Sequence, residues 1–516
     1  WRQGYKTETD YTFGFYSMLN PDALMMTSVF LGYQPPAAMA ARGEGSRALT
    51  YCELGCGQGL TLNVMAARDP GGQYYGIDYN PSQIRNARAL AKAAGIDNVH
   101  FIEESFGNLD LGSLPEFDII VLHGIYSWVS ASVRQNIVDI IRRKLKPGGL
   151  CYVSYNCAVG RSADEAMRQM LIAVHRQAEG SIVQKAEASV REMQSIAKMD
   201  AQYFASNTAM TRHLATLHQH QPSYVVHEYL NEIWQPFFFS DVARDMDGAK
   251  ASFIGQADLR FNRVEFCLTQ QGRKVHERMT TLPDRELVKD VWVNQRFRQD
   301  IYMKGGERIT LSQQVSLLSA QNFRLKRARA DCALHAKVPA GTAALPADPY
   351  GRMLDMMAAG PAAGDALRAV FDGKANADRR FLSALEALVA LNYIELALDP
   401  AQKTLVRPRL TALGQAIGGF ISKSMDVYVL PTLANGLARS VGIMEYFLYQ
   451  AHKADPARRP ELAAEMLLRS GRSVSSRSAA GKPAASKREA ATVLFARSEK
   501  DFVKKGLPLL ESLEAL

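Results

Sequence analysis

Tyr51-Cys-Glu-Leu-Gly-Cys-Gly-Gln-Gly59 is followed by Gly76-Ile-Asp-Tyr-Asn-Pro81. The first stretch reads as a buried strand entering a glycine-rich turn. The second reads as a strand that ends in a carboxylate, Asp78. Between them, Leu60 to Arg68 carries apolar residues at helical spacing. Strand, tight turn, helix, strand and carboxylate is the order of a nucleotide-binding βαβ unit. Glycines let the backbone turn sharply and come close to a ligand. The carboxylate about 20 residues on can take both ribose hydroxyls. A dinucleotide fingerprint needs a third glycine to pack helix on strand. Here Gly55, Gly57 and Gly59 alternate, that third glycine is absent, and an acid, Glu53, precedes the run.

This E-x-G-x-G-x-G form resembles motif I of the class I S-adenosylmethionine (SAM) methyltransferases. The resemblance implies that Glu53 and the backbone of Gly55, Gly57 and Gly59 face the amino-acid part of SAM, with Cys56, Asp78, Tyr79 and Gln83 as further cofactor-binding residues. Asn98 to Phe106 is a short strand ending in Glu104, Ser105 and Phe106, which the resemblance puts beside the adenine. The family often has Asp where Ser105 stands. Phe117-Asp-Ile-Ile-Val-Leu122 is a continuous apolar run, as a parallel strand covered on both faces requires. It empties into His123-Gly-Ile-Tyr-Ser-Trp-Val-Ser130. A helix (132–145), a Lys146-Pro-Gly-Gly149 turn and the strand Leu150 to Asn156 follow. Ligands of such sheets sit at the carboxyl ends of the strands.

A chain of 516 residues exceeds one core. The expected division is a SAM-binding core over 1–160, a helical insertion over 161–222 and a segment completing the sheet over 223–310. A connecting segment and linker (311–350), a winged-helix-like module (351–410) and a helical C-terminal region (411–516) with a mobile basic linker at 470–490 come after. The insertion has apolar residues at i, i+3, i+4, i+7, namely Met167, Met170, Leu171 and Val174, and reads as packing on itself, dimerising, or covering substrate. Ala251 to Gly255 reads as a strand. Phe297 to Met303 reads as an alternating edge strand. The stretch between Pro339 and Pro349 reads as a linker. Three short helices and a hairpin built from Tyr393–Leu398 and Thr404–Arg407 make the winged-helix-like pattern, with too little basic surface for DNA.

The formal charge is +9, yet residues 469–505 hold ten Lys/Arg against three acids. The rest is near neutral, so nucleic acid is not the expected partner. Six cysteines lack C-x-x-C spacing and read as buried thiols of a reducing compartment, with no metal site expected. No apolar run of about 20 residues predicts a membrane span. No signal peptide is visible. The start at Trp1 without Met suggests a trimmed beginning, and the expected location is the cytoplasm.

Asp10-Tyr-Thr-Phe-Gly-Phe-Tyr16, the glycine run, His123 to Val129, Tyr152 to Asn156 and His227-Glu-Tyr-Leu230 together resemble bacterial class I methyltransferases that carry a methyltransferase regulatory domain. The layout is similar to rickettsial protein-lysine methyltransferases that modify an outer membrane protein. That resemblance implies SAM as cofactor and a protein substrate, an outer membrane or surface protein met before export. It implies an α/β Rossmann-like sheet with a mostly α C-terminal region, and a homodimer is a further expectation. Tyr11, Tyr16 and His123 are expected on the cofactor side. Tyr126, Trp128, Tyr155, Asn156 and His123 are expected at the acceptor. Two other functions stay open: a small-molecule N- or O-methyltransferase, and a SAM-binding regulatory or DNA-interacting protein.

Overall fold

The structure is a computed structural model and describes residues 13–36, 48–199, 201–217, 222–472 and 486–516. Its centre is a seven-stranded sheet made of β1 (Thr50–Leu54), β2 (Gln73–Asp78), β3 (Val99–Glu103), β4 (Phe117–Leu122), β5 (Leu145–Asn156), β6 (Ala251–Gln256) and β7 (Phe297–Lys304). The strand order is β3-β2-β1-β4-β5-β7-β6. The first five strands run parallel, and β7 is antiparallel to both β5 and β6.

Side chains of β1 alternate between two cores, as strand geometry demands. Tyr51 joins one with Leu60, Val64 and Leu410; Cys52 and Leu54 join the other with Ile137, Ile141 and Val242. All six residues of β4 are buried, which is why its sequence lacks a polar face. All six cysteines are free and buried.

The expectation of an edge strand at Phe297–Met303 is corrected. β7 lies between β5 and β6, and β6 forms that edge. The polar residues that suggested a solvent face, Arg298 and Asp300, are fully buried. Arg298 bonds Asp290 at 2.6 Å, Glu286 at 2.9 Å and Asp300 at 3.0 Å. A buried charge persists only when paired in this way. Lys146 to Gly149 also differs from expectation, being part of the long strand β5, whose register with β4 shifts there.

The helical insertion buries its apolar stripe on itself. Met167, Leu171, Val190 and Met193 pack with Val225, Val226 and Tyr229 in a separate core. The helix Pro222–Tyr229 thus packs with the insertion.

Two expectations further along are corrected. Gly341–Ala344 pairs antiparallel with His335–Val338, so a hairpin stands inside the stretch read as a linker. Ile394–Leu396 pairs with Asn322–Leu325. Thr404–Arg407 lies inside the helix Pro400–Ser422, so the two do not form the expected hairpin. The reason is local: Asp399 and Gln402 form a capping box around Pro400, which starts a helix. That helix lies against Leu60–Arg68 and Pro81–Ala93, with Arg409 bonded to Asn98 at 2.5 Å. The basic stretch read as mobile falls mostly outside the described residues, and a helix begins at Lys487.

Candidate active site

The turn after β1 places Gly55, Gly57 and Gly59 in the left-handed region, with φ of 77°, 52° and 65°. A Cβ on Gly55 would strike Ile125 at 2.3 Å. The backbone therefore passes as close to the β4 loop as an unsubstituted chain can. Gly57 N–H donates to Asp78 Oδ2 at 2.9 Å, and Asn80 N–H donates to Oδ1 at the same distance. Asn80 then caps the helix Pro81–Ala93. Turn, carboxylate and next helix are one hydrogen-bonded unit.

These groups open onto a cavity of about 250 Å³. Its walls include Tyr16, Glu53, Gly55, Cys56, Gly57 and Gly59. From the ends of β2 and β3 come Asp78, Tyr79, Gln83, Glu104, Ser105 and Phe106, and from the β4 loop come His123 and Trp128. All of these are residues expected at the site from the sequence. Glu104 turns back on its own loop, its Oε1 accepting from Ser105 N–H at 2.8 Å.

Glu53 is buried, and among the described residues its Oε2 has no hydrogen-bond partner. Burial, then the nearby Asp78 charge, pushes its carboxyl up to about 8. Burial also raises the Asp78 carboxyl, against the backbone N–H groups that favour its charged form. Trp128 Nε1 is likewise buried and unpartnered among the described residues. Two unsatisfied buried groups beside a glycine cradle fit a ligand with an amine and hydroxyls. The residues present therefore fit SAM: Glu53 and the glycine turn toward its charged amino-acid end, Asp78 toward its ribose.

The strand ends away from β2 and β3 form an aromatic corner. The rings of Tyr16 and His123 are 4.6 Å apart, and those of His123 and Phe297 are 5.7 Å apart. His123 Nδ1 meets Tyr152 Oη at 3.0 Å and Ser154 Oγ at 3.1 Å. Burial lowers its imidazole to about 4, so it is neutral at neutral pH.

Three expected acceptor residues lie elsewhere. Tyr126 and Tyr155 are fully buried, and neither lines the cavity. Their hydroxyls donate to Asp245 and Asp300, each at 2.6 Å. Tyr155 alternates with Ser154 and Asn156 along β5 and so points to the opposite face. Asn156 is buried outside the cavity lining, with neither amide atom partnered among the described residues. Tyr11 lies outside the described residues.

The sequence reading missed Phe297 and Glu228, both of which line the cavity. Glu228 lies within the His227-Glu-Tyr-Leu230 motif, but its role was not legible from spacing. Its Oε1 accepts from Arg161 Nη2 at 2.7 Å.

A family model described as a methyltransferase domain matches residues 46–219, and one described as a predicted methyltransferase regulatory domain matches 221–304. An uncharacterized protein of Synechocystis is 30% identical over 440 residues, covering 85% of this chain and 86% of its own. An uncharacterized protein of Rickettsia prowazekii is 30% identical over 219 residues, covering 42% and 84%. The solved structure of PKMT2 from Rickettsia typhi in complex with AdoHcy superposes with a TM-score of 0.65 at 18% identity, covering 95% of this chain and 98% of that one. The cavity lies where the β1, β2 and β4 strand ends meet, walled mostly by the matched methyltransferase domain with Glu228 and Phe297 added from the matched regulatory domain, and the chain belongs to the SAM-dependent methyltransferases that carry a methyltransferase regulatory domain.

Proposed function

We propose that the chain transfers methyl from SAM to lysine side-chain amines of a protein. The observation carrying this reading is the uncharged aromatic corner of Tyr16, His123 and Phe297 on the cofactor cavity. The likeness of fold to PKMT2 along nearly the whole chain supports it. The proposal includes a protein substrate met in the cytoplasm, of the outer membrane or surface class before export, and a homodimer.

Bound SAM supplies a methyl group on a sulfonium sulfur, open to in-line attack. This chain must hold the nucleophile in line and exclude water. A lysine amine must first lose a proton, and at a free pKa near 10.4 being neutral at pH 7 costs roughly 5 kcal/mol. A desolvated apolar wall lowers that cost by disfavouring the ammonium. The rings of Tyr16 and Phe297 also attract cationic groups. His123, held by Tyr152 and Ser154, is a fixed neutral part of that wall.

The test offers the enzyme proteins and small molecules together. With labelled SAM, a panel of folded and unfolded proteins competes against small amines and phenols. Label entering protein faster than the small acceptors supports the proposal. Label in small acceptors alone contradicts it.

A further inference from the structure

Glu228 reaches the cofactor cavity from outside the sheet. Its helix, Pro222–Tyr229, is packed in the core of the helical insertion. Burying a carboxylate is costly unless it is paired, and this one is paired on one oxygen. Oε1 accepts from Arg161 at 2.7 Å, while among the described residues Oε2 has no hydrogen-bond partner. The side chain is 12% exposed, and the cavity is what it borders.

Arg161 is already committed. Its Nη1 bonds Asp164 at 3.0 Å, and Asp164 also bonds Arg296 at 2.6 Å. Two acids facing two arginines carry no net charge. What the cluster offers a ligand is one directed acceptor oxygen. Glu53 and Asp78 stand at the ends of β1 and β2, on the cofactor side. Phe297 and Glu228 both line the cavity, so the aromatic corner and the Glu228 cluster open onto the same space.

We propose that Glu228 Oε2 is the contact for the positively charged amine of the acceptor, which makes Glu228 a residue that selects cationic substrates. This rests on the lysine reading above. The contact also gives the proton a destination. An Nζ–H donated to Oε2 can pass to that oxygen, leaving a neutral carboxyl and a nitrogen lone pair. That pair forms the new N–CH₃ bond, while the electrons of the breaking C–S bond stay on sulfur. Burial raises the Glu228 carboxyl against the lowering effect of Arg161, which favours uptake of the proton. The segment matched as a regulatory domain thereby supplies part of the acceptor site itself.

The test compares wild type, Glu228→Gln and Glu228→Asp in the full chain, with a panel of unfolded lysine-rich proteins as the probe. Gln keeps an oxygen for Arg161 and removes the charge. The expected result is a KM for the protein acceptor at least about tenfold higher in Glu228→Gln, a smaller rise in Glu228→Asp, and AdoHcy affinity of the folded molecules unchanged. An unchanged KM with label still on lysine overturns this proposal and leaves the function standing. A loss of AdoHcy binding that parallels the KM rise assigns Glu228 a structural role and also overturns it. Wild-type label confined to neutral acceptors overturns both readings.

Discussion

Gly57 N–H donates to Asp78 Oδ2 over 2.9 Å, which ties the turn after β1 to the carboxylate ending β2. One oxygen pair thus serves the fold and the cofactor site together. Charge-assisted bonds of this kind contribute about 1.5–3 kcal/mol each. Asp78→Ala should lower AdoHcy affinity at least about tenfold and lower Tm as well. Calorimetric titration and thermal melting check both; unchanged affinity would remove Asp78 from the cofactor site.

Glu53 predicts a pH effect of definite sign. Its folded carboxyl is raised to about 8 from an ordinary 4.5. Between those values the folded state holds more protons than the unfolded chain, so stability falls as pH rises through that window. Glu53→Gln should flatten the Tm–pH slope of the ligand-free protein between pH 5 and 8. SAM brings positive charge to Glu53, so binding at pH 7 should release up to about one proton. Titration in buffers of different ionisation enthalpy measures the release, and Glu53→Gln should abolish it.

Two glycines should separate folding from binding. A Cβ on Gly59 would meet Ala87 and Phe101 at 2.6 Å, at a φ of +65°. Gly59→Ala should cost about 2–4 kcal/mol in urea unfolding, from overpacking and left-handed strain. A Cβ on Gly57 meets only Gln83 Oε1, at 3.4 Å, and otherwise projects toward the cavity. Gly57→Ala should cost about 1–2 kcal/mol for its φ and lose more AdoHcy affinity than Gly59→Ala does among folded molecules.

Tyr126→Phe and Tyr155→Phe test the correction made to the acceptor site. Each removes a hydroxyl that donates to Asp245 or Asp300 at 2.6 Å. Each should lower stability by about 1–3 kcal/mol while leaving the KM for SAM within a factor of about two. A selective loss of kcat at full stability would return these tyrosines to the acceptor site.

The cavity wall at the β1 and β2 ends was legible because its residues are local. Glu53, the three glycines and Asp78 lie within one βαβ unit, where spacing dictates position. The far wall of the cavity was not, because it is assembled across long separations. Phe297 comes from β7 and Glu228 from the insertion's core. Arg298 and Asp300 looked solvent-facing because nothing in a period-two pattern reveals that Glu286 and Asp290 will pair with them. Tyr155 was misplaced by one step of strand alternation relative to Ser154. Asp399-Pro400 reads as a turn in the sequence, whereas Asp399 and Gln402 close a capping box there and start a helix.

The central claim is methyl transfer from SAM to lysine amines, and the most direct measurement is tritium transfer from labelled SAM into protein by wild type and Asp78→Ala, with the labelled residues mapped by mass spectrometry. The account predicts label that depends on Asp78, survives base treatment and maps to lysine Nζ. Base-labile label, or label that maps to carboxyl or hydroxyl groups alone, would contradict it.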